Sequence, residues 1–260
     1  MDKSDWTEAG DFTWERSGET KVFDFATQPS ARYIKLSVSK AVGNYGSGRE
    51  LYVFKAAGTE SYLQGDVNND GKIDSNDLTS YMNYTGLRRG DSDFEGYISR
   101  GDINGNDLID AYDISVAATQ IDGGVKRDPS AAPLAGEITV AADRKSYNAG
   151  DTIRLTVSGK GMASVNAISF ALPYDQQAYE FVGATPSGMK QMENLTYDRL
   201  HTDGSKALYP TFVNVGDKET IDGDGELMVI TLKAKRKLTF DLSPVDGILV
   251  DKNLNFKKFR

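Results

Sequence analysis

A mainly β chain with a small α module is the fold class this sequence predicts. It has three parts: a partial β-sandwich, a paired loop–helix unit and a complete β-sandwich. Apolar and polar residues alternate between turn signals over the second half of the chain. Near the middle, two acidic twelve-residue loops each run into an apolar stripe of helical period. A shorter alternating stretch lies near the start. The 260 residues suffice for two or three small domains. Their boundaries read as 1–60, 61–125, a linker over 126–136, and 137–260.

Residues 5–58 supply the first part. Ala31-Arg32-Tyr33-Ile34-Lys35-Leu36-Ser37-Val38 alternates as a strand, and Arg49-Glu50-Leu51-Tyr52-Val53-Phe54 follows a glycine-rich loop. Trp6 and Trp14 are expected in its core, with stacking on sugar rings as the other use of such side chains. Phe23-Asp24-Phe25 ahead of Pro29-Ser30-Ala31-Arg32-Tyr33 resembles the end of a discoidin-like (coagulation-factor type C) domain. Many bacterial members of that family bind carbohydrate. The match covers only the last part of such a module, so no ligand residue transfers. Strands of this kind by themselves leave open edges, which reads as a fragment of a larger protein.

The loop–helix unit carries the most specific pattern. From Asp66 to Asp77, oxygen side chains fall at loop positions one, three, five, nine and twelve: Asp66, Asn68, Asp70, Asp74 and Asp77. Gly71 stands at six, where the chain turns sharply. Lys72 at seven offers a backbone carbonyl, and Ile73 at eight points to a core. Calcium takes six to eight hard oxygen ligands at ~2.3–2.6 Å, and this spacing wraps them about one point. Four crowded carboxylates would otherwise repel. A second copy runs from Asp102 to Asp113, with Asp102, Asn104, Asn106, the carbonyl of Leu108, Asp110 and Asp113 in the same roles. Asp107 replaces the glycine at six. Aspartate tolerates a left-handed backbone at some cost, so the second site is expected to be weaker or more strained.

Each loop feeds a helix. Leu78, Tyr81 and Met82 recur at helical spacing before Gly86, and Ile114, Ala117, Ala118 and Ile121 form a stripe before Gly123-Gly124. Asp77 and Asp113 fall in the first turns, where negative charge suits the helix dipole. Neither loop is preceded by a clear amphipathic helix, as an ordinary EF-hand would be. Loop then helix, twice, with aspartate at position twelve, resembles a dockerin module over residues 64–123. The resemblance implies a Ca²⁺-dependent domain whose helices dock on a partner called a cohesin. Its recognition positions, ten and eleven, read Ser75-Asn76 in one copy and Ala111-Tyr112 in the other. The two faces therefore differ, and binding in two swapped orientations is not expected.

After the linker Lys126 to Gly136, Ile153-Arg154-Leu155-Thr156-Val157 alternates cleanly. Further strands are expected at Ser164–Leu172, Ala207–Val215 and Leu227–Ala234. Turns are expected at Asn148–Asp151, Ser187-Gly188, Asp203-Gly204 and Asp222-Gly223-Asp224-Gly225, the last with cation binding as the other reading. Tyr147-Asn148-Ala149-Gly150-Asp151-Thr152, Val165 to Phe170, Tyr174-Asp175, Tyr179 to Pro186 and Asp224 to Ala234 together resemble a cohesin over residues 137–253. That resemblance implies a nine-stranded jelly-roll sandwich; another β-sandwich adhesion or spacer module is the other reading.

The rest of the sequence bounds the function. Net charge is −8 with no basic stripe, so nucleic acid is not an expected partner. The absence of cysteine excludes disulfides and thiol nucleophiles. No apolar run is long enough for a membrane span, and no signal peptide is evident. His201 is the only histidine and reads as structural. The chain itself is expected to be non-catalytic, with a glycoside hydrolase as its parent and an extracellular or bacterial cell-surface setting by family resemblance. Two function classes compete: a calcium-binding assembly or stalk region, and a carbohydrate-binding or adhesion fragment stiffened by calcium. The expected partner is a cohesin-like or dockerin-like module, in cis or in another chain, and a glycan could be held by the complete discoidin-like module. The short linker keeps both modules at roughly mM effective concentration, which favours packing in cis through faces including Tyr81, Tyr84 or Tyr112.

Overall fold

Two short helices and thirteen strands occur among the residues that a computed structural model describes: 6–14, 23, 33–41, 43, 63–94, 101–126 and 130–259. All lie in the second of two units, Met1–Ser61 and Tyr62–Arg260. In the first unit, two sequence expectations are corrected. Residues 33–38 carry the alternating pattern but form no ladder, and their side chains are exposed; a strand exists only where a neighbouring backbone pairs with it. Trp6 and Trp14 are 42% and 47% exposed rather than core. Trp14 stacks on Phe23 at 5.5 Å, and the Lys35 ammonium sits over Trp6, so the rings pack locally on one face and stay wet on the other. The expected strand at 49–54 lies outside the described residues.

In the second unit, α1 spans Ser75–Tyr84 and α2 spans Ala111–Ala118. Both begin with the same device. Asp74 or Asp110, in extended conformation, accepts the N–H two residues on, while Asp77 or Asp113 reaches back to the cap residue's own N–H. The acidic residue at loop position twelve is thus also the third residue of its helix. Met82, placed on the expected apolar stripe, is exposed, whereas Tyr81 is fully buried.

The strands are β1 Ala135–Ala142, β2 Ser146–Tyr147, β3 Thr152–Val165, β4 Ala167–Pro173, β5 Tyr179–Pro186, β6 Glu193–Asn194 and β7 Tyr197–Leu200, then β8 Lys206–Tyr209, β9 Thr211–Val213, β10 Ile221–Ala234, β11 Leu238–Thr239, β12 Val245–Val250 and β13 Phe256–Phe259. One large sheet has the order β1-β3-β10-β5 and the other β13-β12-β4-β8-β7, with β9 on β4 and β6 on β9, and β2 pairs with β11 in a small third sheet. All pairings are antiparallel. The last two linker residues, Ala135 and Gly136, already belong to β1. Asp222 to Gly225 is not a turn: it lies inside β10, opposite β3, with register shifts that mark bulges. Asp222 and Asp224 accept the backbone N–H groups of Ser164 and Gly161, so the motif kinks a strand instead of ending one.

The strand that organises the unit is β4. Its large residues Ile168, Phe170 and Leu172 point between the sheets, where Leu155, Ile230 and Leu232 meet them. Its small residues Ala167, Ser169 and Ala171 point the other way and are equally buried. A strand apolar on both faces has a layer on each side. The outer layer is the loop–helix unit.

Candidate functional site

The two loops are built alike. Positive φ recurs at position four, Asn69 (+58°) and Gly105 (+66°), and at position six, Gly71 (+85°) and Asp107 (+67°). The first aspartate accepts two backbone N–H groups from across its loop: Asp66 from Asp70 and Gly71 at 3.0 and 2.9 Å, Asp102 from Asn106 and Asp107 at 3.0 and 2.8 Å. The last one closes the loop. Asp77 accepts from Asn68 and Asp74, and Asp113 from Ile103 and Asp110. Besides Asp107 in place of Gly71, the copies differ at position five: the Asn106 amide donates to Asp110 at 2.8 Å, where the first loop has the carboxylate of Asp70.

Burial makes these carboxylates costly when alone. It pushes Asp77 up, Asp110 to about 6, and Asp113 well above the ordinary range, where the nearby Asp110 carboxylate raises it further. Among the described residues, no three acidic or imidazole side chains converge tightly enough to chelate an ion unaided. The loops instead combine carboxylates with the amide oxygens of Asn68, Asn104 and Asn106 and the carbonyls of Lys72 and Leu108. An all-oxygen set of this kind suits a hard cation such as calcium. A carboxylate has about four acceptor positions, so backbone bonds leave lone pairs for an ion. The donor chemistry and the buried negative charge fit calcium.

The helices reach the sandwich unequally. Ala111, Ile114, Ala117 and Ala118 of α2 share one apolar cluster with Ala167 of β4, Val213 of β9, and Ile248 and Val250 of β12. Two hydrogen bonds fix the register: Ala111 N–H donates to Ser169 Oγ at 3.0 Å, and Gly216 N–H donates to the Ala118 carbonyl at 3.1 Å. Tyr112 meets Phe256 edge-on at 5.3 Å. Positions ten and eleven of the second loop therefore touch the sandwich, while Ser75 and Asn76 of the first are exposed. Tyr81 lies inside the loop–helix unit, its hydroxyl donating to the Gly101 carbonyl at 3.2 Å, and Tyr84 packs partly buried against the same cluster.

A second, polar contact was invisible in the sequence, because its halves lie 110 or more residues apart. Arg199 is buried and donates to the carbonyls of Thr85 and Asn83 at 2.8 and 2.6 Å. It closes the C-terminal end of α1, whose last turn has no basic residue of its own. The His201 ring bridges Asp91 Oδ2 and the Tyr209 hydroxyl, at 2.9 Å on each side. Thr202 N–H donates to Asp91 Oδ1, and Arg88 reaches Asp203 and Ser205. His201 is thus structural, as a lone histidine suggested, with one partner from each module: Asp91 from the loop–helix unit and Tyr209 from β8. Burial alone would raise Asp91, but the bonds from His201 and from the Arg88 and Thr202 amides outweigh it and hold the carboxyl below its ordinary 3.8. A depressed carboxyl gives stability that is complete above the unfolded value and lost as pH falls through the folded one. Acid unfolding should therefore show a limb below about pH 4 that Asp91→Asn removes; identical limbs in an acid titration of both proteins would refute this.

Two family models match the chain: the dockerin type I domain over residues 64–122 and the cohesin domain over residues 138–256. A search of the curated proteins found no match. Among solved structures, similar chains include the cohesin module of a family 33 glycoside hydrolase from Clostridium perfringens, at 13% identity over 47% of this chain and 88% of that one, with a TM-score of 0.38. CaCohA2 from Clostridium acetobutylicum is 20% identical over 45% and 80%, with a TM-score of 0.35. The CaDoc0917–CaCohA2 complex gives 18% over 48% and 92%, with a TM-score of 0.36. The chain carries a dockerin type I domain followed by a cohesin domain.

Proposed function

We propose that residues 62–260 form a calcium-stabilised protein-assembly unit whose dockerin and cohesin domains pair in cis, as a rigid stalk of a secreted or surface polysaccharide-degrading enzyme. Dockerin and cohesin domains are non-catalytic and pair with one another, as they do in the CaDoc0917–CaCohA2 complex. The observation that carries the cis reading is the buried outer face of β4, β9 and β12, covered by α2 of the same chain. Calcium would be held by Asp66, Asn68, Asp70, Asp74, Asp77 and the Lys72 carbonyl, and by Asp102, Asn104, Asn106, Asp110, Asp113 and the Leu108 carbonyl. When bound, it supplies positive charge that offsets buried carboxylates and fixes the starts of both helices. Among the described residues no helix is long and apolar enough to cross a membrane.

Light scattering across a wide range of concentrations tests the pairing. A single monomer mass in calcium, with slow exchange of the Gly216 amide, is expected. Oligomers that grow with concentration would show head-to-tail pairing between chains instead, and a fast-exchanging Gly216 amide in a monomer would show no pairing. The exposed faces of Trp6 and Trp14 favour the other reading, an adhesion fragment, which predicts retention of the chain on immobilised glycans.

A further inference from the structure

The two contacts between the modules differ in what they can discriminate. The α2 contact is mainly apolar, with Ala117 and Ala118 among Val213, Ile248 and Val250, and its two hydrogen bonds use only backbone groups and the Ser169 hydroxyl. Apolar burial is non-directional, and those two bonds ask of the sheet only one hydroxyl and one free N–H, so this contact discriminates weakly. The contact of the segment between the repeats is polar, directional and buried: Asp91, Arg199, His201 and Tyr209 are all almost fully enclosed. Each needs a particular group opposite it.

We propose that this polar contact, centred on Asp91, His201 and Arg199, determines which partner the dockerin accepts, a proposal that rests on the cis pairing above. A cohesin without a donor at His201 leaves the Asp91 carboxylate enclosed with only backbone amides. A dockerin whose first helix ended elsewhere leaves the Arg199 guanidinium enclosed without the Asn83 and Thr85 carbonyls. Losing one partner of such a buried charged contact weakens association by on the order of 10²-fold or more. Of the other charged groups around the cluster, Arg88 from the dockerin and Asp203 from the β7–β8 turn form an ion pair 40% and 62% exposed, while the carboxylates of Asp93 and Asp246 act on Arg199 and Tyr209. The Arg88–Asp203 pair adds little by itself. Tyr209 enforces shape as well: a Cβ on Gly86, at φ +76°, would overlap its ring.

The test uses full-length chains with the charges changed on opposite modules. Asp91→Lys places a cation against His201, and His201→Glu places an anion against Asp91. Each variant alone is expected to raise Gly216 amide exchange by about 10²-fold while near-ultraviolet dichroism stays native. Mixed in equal amounts, they should form a dimer, because the dockerin of the first chain meets the cohesin of the second with opposite charges. Two closed monomers that exchange as slowly as wild type would overturn the proposal and leave the cis pairing standing. Open chains that fail to combine would also overturn it, since the residues would then hold without selecting. Rapid Gly216 exchange in wild type would instead remove the pairing itself. Should Asp91→Lys lose native dichroism, Asp91→Asn keeps the shape without the charge. It is then expected to accelerate exchange, and unchanged exchange would count against the proposal.

Discussion

Chelating calcium is expected to lower the unfolding midpoint of the chain by roughly 8–16 °C for one loop alone. An ion at a thousand times its Kd stabilises by about 4 kcal/mol, and a unit of this size shifts about 2–4 °C per kcal/mol. The physical source is visible in both loops. Asp77 and Asp113 are fully buried, Asp66 and Asp110 nearly so, and without a cation amide hydrogen bonds offset only part of the cost of their charge. The effect should not stay local, because α2 begins at the second loop and lies under the sandwich. Calorimetry in calcium should give one transition for Tyr62–Arg260; in EDTA the dockerin should melt first and separately. An unchanged midpoint in EDTA would sink the calcium reading, and separate transitions in calcium would sink the coupling.

A large effect of a single methyl group is expected at Gly86. Its backbone is left-handed, at φ +76°, and an added Cβ would run into the aromatic ring of Tyr209. That ring cannot step aside freely, since its hydroxyl is tied to buried His201. Gly86→Ala should therefore cost about 3 kcal/mol or more, combining backbone strain with overpacking. Gly90 is the control. It is equally left-handed, at φ +97°, but open space surrounds it, so Gly90→Ala should cost only the strain, about 1 kcal/mol. Urea titrations of the two variants measure the difference. Equal losses would mean that the Tyr209 ring yields, and that the modules touch less firmly there than the geometry requires.

Local chemistry made the loops legible. Ligand spacing, the glycine or aspartate at position six, and an aspartate that caps its own helix all act within twelve residues. Even there, the left-handed residue at position four escaped notice, because Asn69 and Gly105 share a backbone conformation and no side-chain type. Strands with clean alternation, such as Ile153–Val157, were readable for the same local reason. Asp222-Gly223-Asp224-Gly225 misled because a bulge and a turn demand the same left-handed glycine. The tryptophans misled in another way, since hydrophobicity says that a ring can be buried and not that a second layer exists to bury it. The polar contact lay beyond reach altogether. Nothing near Arg199 announces that its guanidinium will end a helix more than a hundred residues earlier.

Modules that are exchanged freely between genes each bring a complete interior. Here the interior of the dockerin is finished by the cohesin: Ala117 and Ile114 have Val213 and Val250 as neighbours, and the first helix ends on Arg199. A recombination event in the segment between the two would join a helix face to a sheet that had never been fitted to it. Substitutions at Ala117 should accordingly be tolerated only alongside changes at Val213 or Val250, on the far side of the boundary between the two modules.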